Sequence, residues 1–269
     1  LNQSQGPRNC GLDYDNLCAQ YYKYFWQNGI GVDVLDSRSD FEDYKIVIAP
    51  LLYMFHNDIQ QKMRNFVERG GILLSTAFSG VVDENDLCFL GEATQEKLSD
   101  VLGMWVEETD ALFDEEANET SWNQNTYKLK EICEVIHTTT AEVLAVYGKD
   151  YYKGAPVITK NTYGVGTAYH IAANCEDALI EDLCRQLVAE AQITGILGDA
   201  DIPDGIGICY RENETKRYIF IGNFSDEAKC IDFSKSSGNE ERAYVNILDD
   251  AKIGGKVCLE PYGIVILES

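Results

Sequence analysis

Gly70-Gly71-Ile72-Leu73-Leu74-Ser75-Thr76-Ala77-Phe78-Ser79-Gly80-Val81-Val82-Asp83-Glu84-Asn85-Asp86 is the stretch whose reading decides the fold. The two glycines stop the segment before them, the aliphatic run reads as a strand buried on both faces, and small hydroxylated residues lead into a polar, acidic turn. A buried strand ending in a sharp polar loop belongs to an open α/β sheet, which carries its chemistry at the carboxyl ends of its strands. Upstream, Asp58 to Glu68 is amphipathic, with Ile59, Met63, Phe66 and Val67 on one face. Before it, Tyr44-Lys45-Ile46-Val47-Ile48-Ala49-Pro50 is apolar enough for a central parallel strand, and Val32-Asp33-Val34-Leu35 reads as a short one. Residues 14–28 place Leu17, Tyr21, Tyr24, Phe25 and Trp26 at helical spacing, and Gly29 closes that helix. Helix, strand, strand, helix, strand gives an open α/β sheet.

Downstream, residues 83–135 are less regular. Leu98 to Met104 closes a helix and Met104-Trp105-Val106 starts a short extended piece. Strands follow at Val143–Tyr147, Ala155–Thr159 and Gly166–Ile171, the last two joined as a hairpin by the Gly-rich Asn161-Thr162-Tyr163-Gly164-Val165-Gly166. Glu176 to Ala191 is a helix with Leu179, Ile180, Leu183, Cys184 and Leu187 as its buried stripe. Near Asp201-Ile202-Pro203-Asp204-Gly205 the pattern changes to short strands: Ile206–Arg211, Arg217–Phe224, Lys229–Phe233, Tyr244–Ile247, Gly255–Leu259 and Ile264–Leu267. The expected architecture is therefore an open, mostly parallel α/β sheet of the class I glutamine amidotransferase or flavodoxin kind over residues 1–200. A small antiparallel β-sandwich domain follows over 201–269. A doubly wound sheet normally opens with a strand, whereas this pattern opens with a helix at Leu1 onward. The expectation is a chain cut from something longer, its first strand missing.

Bulk properties narrow the function. A length of 269 residues with 45% apolar content supports a real core and two domains. A net charge of −23 argues against nucleic acid, whose phosphates need a basic footprint. Apolar runs far short of a membrane span, and the lack of a signal-peptide pattern, argue for no membrane association. The nine cysteines (10, 18, 88, 133, 175, 184, 209, 230 and 258) are odd in number, widely spaced and without CxxC. They read as free thiols in a reducing cytoplasm, with Cys184 and Cys258 packing as small hydrophobes and no disulfide framework. His56, His137 and His170 stand far apart and no HExxH occurs, so neither a metal site nor a cofactor is expected. The acids Glu107, Glu108, Asp110, Asp114, Glu115, Glu116 and Glu119 read as a solvated loop.

The turn after Leu74 is where an α/β hydrolase or an amidotransferase carries its nucleophile. It holds Ser75, Thr76 and Ser79 but no cysteine. His170 is the one candidate base, with Glu176 or Asp177 behind it. Asp83, Glu84 and Asp86 are adjacent on one loop, which suits loop capping or a subunit contact better than acid and base facing opposite sides of a glycosidic bond. Asn161 to Gly166 lacks the following helix of a phosphate-binding loop. The aromatics Tyr21, Tyr22, Tyr24, Phe25 and Trp26, with Tyr53, Met54, Phe55 and His56, divide between core packing and an exposed interface. Two other functions stay open on these residues: a divergent serine hydrolase using Ser75 or Ser79 with His170, and a carbohydrate-binding module using exposed aromatics and the small β domain.

Several stretches resemble the non-catalytic C-terminal half of family 42 glycoside hydrolases, the bacterial β-galactosidases. Leu12-Asp13-Tyr14 through Tyr21-Tyr22 to Gly29-Ile30-Gly31-Val32-Asp33-Val34 is similar to that family's first helix and following strand. Tyr44 to Tyr53 resembles its "YKLVVAPxLY" segment, and Phe78-Ser79-Gly80-Val81-Val82-Asp83-Glu84-Asn85-Asp86 its "FSGxVDEND" loop, the most specific match. Gly164 to Tyr169 resembles "GKGxAYY", with Val165 in place of lysine at a solvent-facing position, and Leu259 to Leu267 its closing strand. The resemblance implies an amidotransferase-like trimerisation domain and a small β domain, following a (β/α)8 barrel that bears two catalytic glutamates. No glutamate of this chain corresponds to either, so the implied role is a scaffold inactive by itself, forming a homotrimer with the barrel as its missing partner.

Overall fold

The computed structural model of the chain describes residues 14–56, 58–88, 98–113, 115–234 and 244–268. Cys10, Asp114 and the Leu12-Asp13 start of the first matched stretch lie outside the described residues. The chain divides into two compact units, one of Leu1–Tyr21 with Leu35–Leu187, the other of Tyr22–Val34 with Val188–Ser269.

In the larger unit, α2 (Ile59–Glu68) buries Ile59, Met63, Phe66 and Val67 as its spacing predicts, against β2 (Ile72–Thr76) and β8 (Gly166–Ile171). β2 is buried throughout, the behaviour of an uninterrupted aliphatic run between two layers. It pairs in parallel with β1 (Ile46–Ala49) and with β8. β8 then pairs antiparallel with β7 (Pro156–Tyr163), and β7 with β6 (Glu142–Val146), giving the order β1-β2-β8-β7-β6. The sheet is thus mixed, two parallel and two antiparallel pairings, where a mostly parallel one was expected. The β7–β8 hairpin forms on the predicted turn, with Gly164 at φ 60 as the first of two central residues and Val165 79% exposed.

Two strand expectations fail. β1 lies at the end of the described sheet order, not at its centre. Val32–Leu35 forms no strand: Val34 is 81% exposed and Leu35 half as much. Two aliphatic residues between Asp33 and Asp36 bury too little apolar surface to hold a ladder.

Residues 83–135 read as irregular, yet they hold most of a second sheet. After the short α3 (Ser99–Leu102), β3 (Met104–Ala111), β4 (Asn118–Trp122) and β5 (Asn125–Thr138) pair antiparallel in the order β3-β5-β4, with β9 (Ala173–Cys175) also on β5. Acids mask the alternation: Glu107, Glu108 and Asp110 stand on β3 and Glu119 on β4, rather than on a solvated loop. A bulge at Glu131, φ 63, shifts the period midway along β5. Helix α4 (Asp177–Glu190) buries its five predicted stripe residues.

α1 (Tyr14–Gln27) buries Leu17, Tyr21, Tyr24 and Phe25, so the core claims three of its six aromatics. Gly29 ends it at φ 59, and the Ile30 N–H reaches back to the Phe25 carbonyl.

The smaller unit contains β10 (Ile206–Glu212), β11 (Arg217–Asn223), β12 (Lys229–Asp232), β13 (Tyr244–Asn246), β14 (Ala251–Ile253), β15 (Lys256–Leu259) and β16 (Ile264–Glu268). Five form a sheet in the order β10-β11-β16-β13-β14, and β12 pairs with β15. Both sheets bury side chains in one core, including Ile219, Ile221 and Leu267 from the first and Ile231, Val257 and Leu259 from the second.

One cysteine reading is overturned here. Cys230 and Cys258 are register partners on β12 and β15 and form a disulfide, both side chains on the solvent side. The alternation of each strand turns these sulfurs outward while Ile231, Val257 and Leu259 turn in, so Cys258 does not pack as a hydrophobe. The bridge spans a sequence separation of 28 residues. Closing a loop of that size stabilises a domain by about 3.5 kcal/mol. Replacing both cysteines with serine is expected to lower the smaller unit's urea stability by about 2–4 kcal/mol, and an unchanged midpoint, or free thiols at both positions in peptide mass spectra, would refute the bridge.

Candidate functional site

The carboxyl ends of β1, β2 and β8 converge on the loops 50–56 and 77–88, the place the opening stretch singles out. The two loops are laced together: Gly80 N–H donates to Leu52 O, Val81 N–H to Tyr53 O and Phe55 N–H to Val82 O. The Tyr53 and Phe78 rings stack at 5.2 Å between centroids. Each loop turns on a non-glycine residue in the left-handed region, Leu51 at φ 41 and Phe78 at φ 61. Such residues cost roughly 1–3 kcal/mol apiece and persist only where surrounding contacts over-determine them.

Those contacts are supplied by the candidate nucleophiles and by one acid. Thr76 Oγ1 accepts the Leu51 N–H at 2.7 Å, and Ser79 Oγ accepts the Leu52 N–H at 3.1 Å. Glu134 Oε1, reaching over from β5, accepts the Phe78 N–H at 2.8 Å. The hydroxyls of Thr76 and Ser79 are therefore engaged with backbone. Ser75 lies in register with His170 of β8, and His170 with Thr159 of β7, so the three share one face of the sheet. All three are buried, and the other carboxylate oxygen of Glu134 stands 3.4 Å from His170 Nε2.

The acids expected behind His170 are elsewhere. Glu176 Oε1 accepts the Lys128 N–H and Asp177 Oδ1 accepts from Gln20 Nε2. Glu134 takes their place, and the sequence does carry a signal for it, an acid inside the apolar run Ile132-Cys133-Glu134-Val135-Ile136. The constellation Ser75–His170–Glu134 contains the residue types of a hydrolytic triad, but the side chains of His170 and Glu134 are only 1% and 4% exposed. A nucleophile must meet its substrate; here the groups are sealed and part of them serves the elbow.

The acidic loop is self-capping. Asp83 Oδ1 accepts the N–H groups of Asn85 at 2.8 Å and Leu87 at 3.0 Å, and these bonds hold its carboxyl below the usual range. Glu84 and Asp86 are exposed beside it. The three histidines stay apart: His56 meets Ser37 Oγ, and His137 pairs with Glu107 and stacks on Trp105. Among the described residues no group of three or more His, Cys, Asp and Glu is placed to hold a metal ion. Burial pushes the thiols of Cys133 and Cys184 up to about 12, which suppresses the thiolate each would need to react.

The turn after β2 thus spends the Thr76 and Ser79 hydroxyls and Glu134 on holding the two loops. Residues 1–194 match the model of the β-galactosidase trimerisation domain and residues 205–269 that of the β-galactosidase C-terminal domain. The chain belongs to the family 42 β-galactosidases. It is 37% identical to β-galactosidase Pbg of Clostridium perfringens over 99% of its own length and 39% of that protein's. With β-galactosidase BglY of Alicyclobacillus acidocaldarius the identity is 36% over 100% and 39%. Among solved structures, a catalytic mutant of Gan42B, a GH42 β-galactosidase of G. stearothermophilus, superposes with a TM-score of 0.91 at 31% identity, over 100% of this chain and 38% of that one. The β-galactosidase of Bacillus circulans sp. alkalophilus gives 0.87 at 34%, over 96% and 38%. The chain therefore spans about two fifths of the length of the relatives it matches, and corresponds to their trimerisation and C-terminal domains. No helix among the described residues is long and apolar enough to cross a membrane.

Proposed function

We propose that this chain is the assembly portion of an enzyme that hydrolyses terminal β-D-galactosides, holding three subunits together while a (β/α)8 barrel outside residues 1–269 supplies both catalytic carboxylates. The observation that carries the reading is the elbow itself. A strained Phe78 stands at the turn, and Thr76, Ser79 and Glu134 are spent on holding backbone. No residue of the chain is assigned a catalytic role, and no cofactor. The amidotransferase-like name for the larger unit belongs to the same proposal, supported by parallel β1, β2 and β8 with a sharp turn after β2. So does a cytoplasmic setting, supported by six free cysteines among the described residues, with the Cys230–Cys258 bridge as the one feature that counts against it.

Light scattering at moderate salt is the direct test of assembly. Three 30.2 kDa chains in one species are expected; a monomer at every concentration would sink the idea that this portion assembles unaided.

The loop 78–86 is proposed to brace the rim of a neighbouring subunit's active site, since it lies at the carboxyl ends of parallel strands with two exposed acids at its tip. Asp83→Ala together with Glu84→Ala in the full-length enzyme is expected to raise KM for a galactoside or to weaken the trimer, each by roughly tenfold, the loss of one or two charge-assisted contacts. Unchanged mass and unchanged kinetics would remove the loop from that role.

A further inference from the structure

The smaller unit has a second apolar face. Its inner face is the core described above. Antiparallel sheets of this size usually turn polar residues outward, so that each strand alternates. β11 and β16 depart from this: Tyr218-Ile219-Phe220-Ile221 and Ile264-Val265-Ile266-Leu267 are apolar on both faces, with the charged Arg217 and Glu268 at one end. The alternation in burial sends Ile219, Ile221, Val265 and Leu267 inward, which leaves Phe220, Phe224, Ile264 and Ile266 outward, with Val245 and Ile247 beside them. Phe224 is 68% and Ile264 56% exposed. The face is also built flat: Gly207 and Gly222 are register partners, and the Phe224 ring lies over both, so that a Cβ at Gly207 would meet that ring and Trp26 at 2.8 Å.

We propose that this outer face is a permanent docking surface for the part of the full-length polypeptide that lies outside residues 1–269. The inference rests on the reading given under Proposed function. Three observations select that occupant. Strands apolar on both faces are the pattern of permanent burial, not of transient contact. The matched relatives carry about three fifths of their length beyond the part this chain covers. The family description attaches trimerisation to residues 1–194, whereas this face lies within 205–269.

Cys209 provides a reporter. It is an exposed free cysteine on β10, opposite Phe220 and therefore on the same outer face. In the native full-length protein its alkylation by iodoacetamide, followed by peptide mass spectrometry, is expected to run at least about tenfold slower than in the same protein unfolded in urea. Equal rates overturn the proposal. Protection that disappears when the assembly is diluted to monomers also overturns it, because a second copy then occupies the face. Phe220→Lys in the full-length protein is expected to restore fast labelling without changing the assembly's mass. The labelling of the unaltered protein decides the matter even if that variant fails to fold. Hydrolysis of a terminal β-galactoside by the same preparation is read separately, so that failure of the galactosidase reading is distinguished from failure of this one.

Discussion

Replacing Glu134 with alanine is expected to destabilise the larger unit by about 3–5 kcal/mol, the cost of emptying a buried site together with the loss of the acceptor for a buried N–H. The Glu134 side chain accepts the Phe78 N–H, and Phe78 is the left-handed residue on which loop 77–88 turns. Its backbone is fixed as well: its N–H donates to Ala172 O, and the Tyr147 hydroxyl donates between Glu134 O and Ala172 O, so the carboxylate cannot easily move away. The alanine variant leaves a buried N–H without its acceptor and His170 without the carboxylate 3.4 Å away. Glu134→Gln keeps both the shape and an acceptor for Phe78, so it should cost less, about 1–3 kcal/mol. Urea unfolding followed by tyrosine and tryptophan fluorescence measures both. An alanine variant within about 1 kcal/mol of the parent would show that the elbow is held by other means.

The same residue shows where sequence reading stops. Helices α1, α2 and α4, the strands β1, β2, β7 and β8, and six of the seven strands of the smaller unit follow from periodicity, because one buried layer imposes one period on each. β3, β4 and β5 were not legible. Their outward positions carry acids and their alternation is broken by a bulge, so burial and period disagree over residues 104–138. Glu134 lies in that stretch, and with it went the partner of His170. The expected acids, Glu176 and Asp177, lie near His170 in sequence, whereas the acid beside it comes from a second sheet, a relation no local pattern encodes. The disulfide was missed for a similar reason. Cys230 and Cys258 meet only through the register of β12 with β15, and an odd cysteine count argued against pairing. The candidate hydroxyls were found at their correct positions, but only the geometry shows Thr76 and Ser79 bound to the backbone of the facing loop.

Gly166→Ala is expected to cost about 3 kcal/mol or more, by overpacking against backbone that cannot yield. Gly166 opens β8 after the two-residue turn, and the turn is tucked under the end of α2: Val165 N–H donates to Glu68 O and Thr167 N–H to Gly71 O, each at 3.2 Å. A Cβ on Gly166 would stand 2.1 Å from Val67 O and 2.6 Å from Gly71 O. Both are main-chain carbonyls, one in the last turn of α2 and the other at the entry to β2, so relief requires parting the helix from the sheet. Gly154→Ala isolates the alternative cause. Gly154 has φ 90, yet an added Cβ there meets nothing within 4 Å, so its cost is conformational alone, about 1 kcal/mol. Gly166 has no left-handed requirement of its own, and its cost is steric alone. Urea midpoints should therefore fall much further for Gly166→Ala than for Gly154→Ala. The reverse order would mean that α2 rides loosely over the Gly-rich turn, and the close approach of helix to hairpin would no longer account for how β8 is brought beside β2 and His170 close to Glu134.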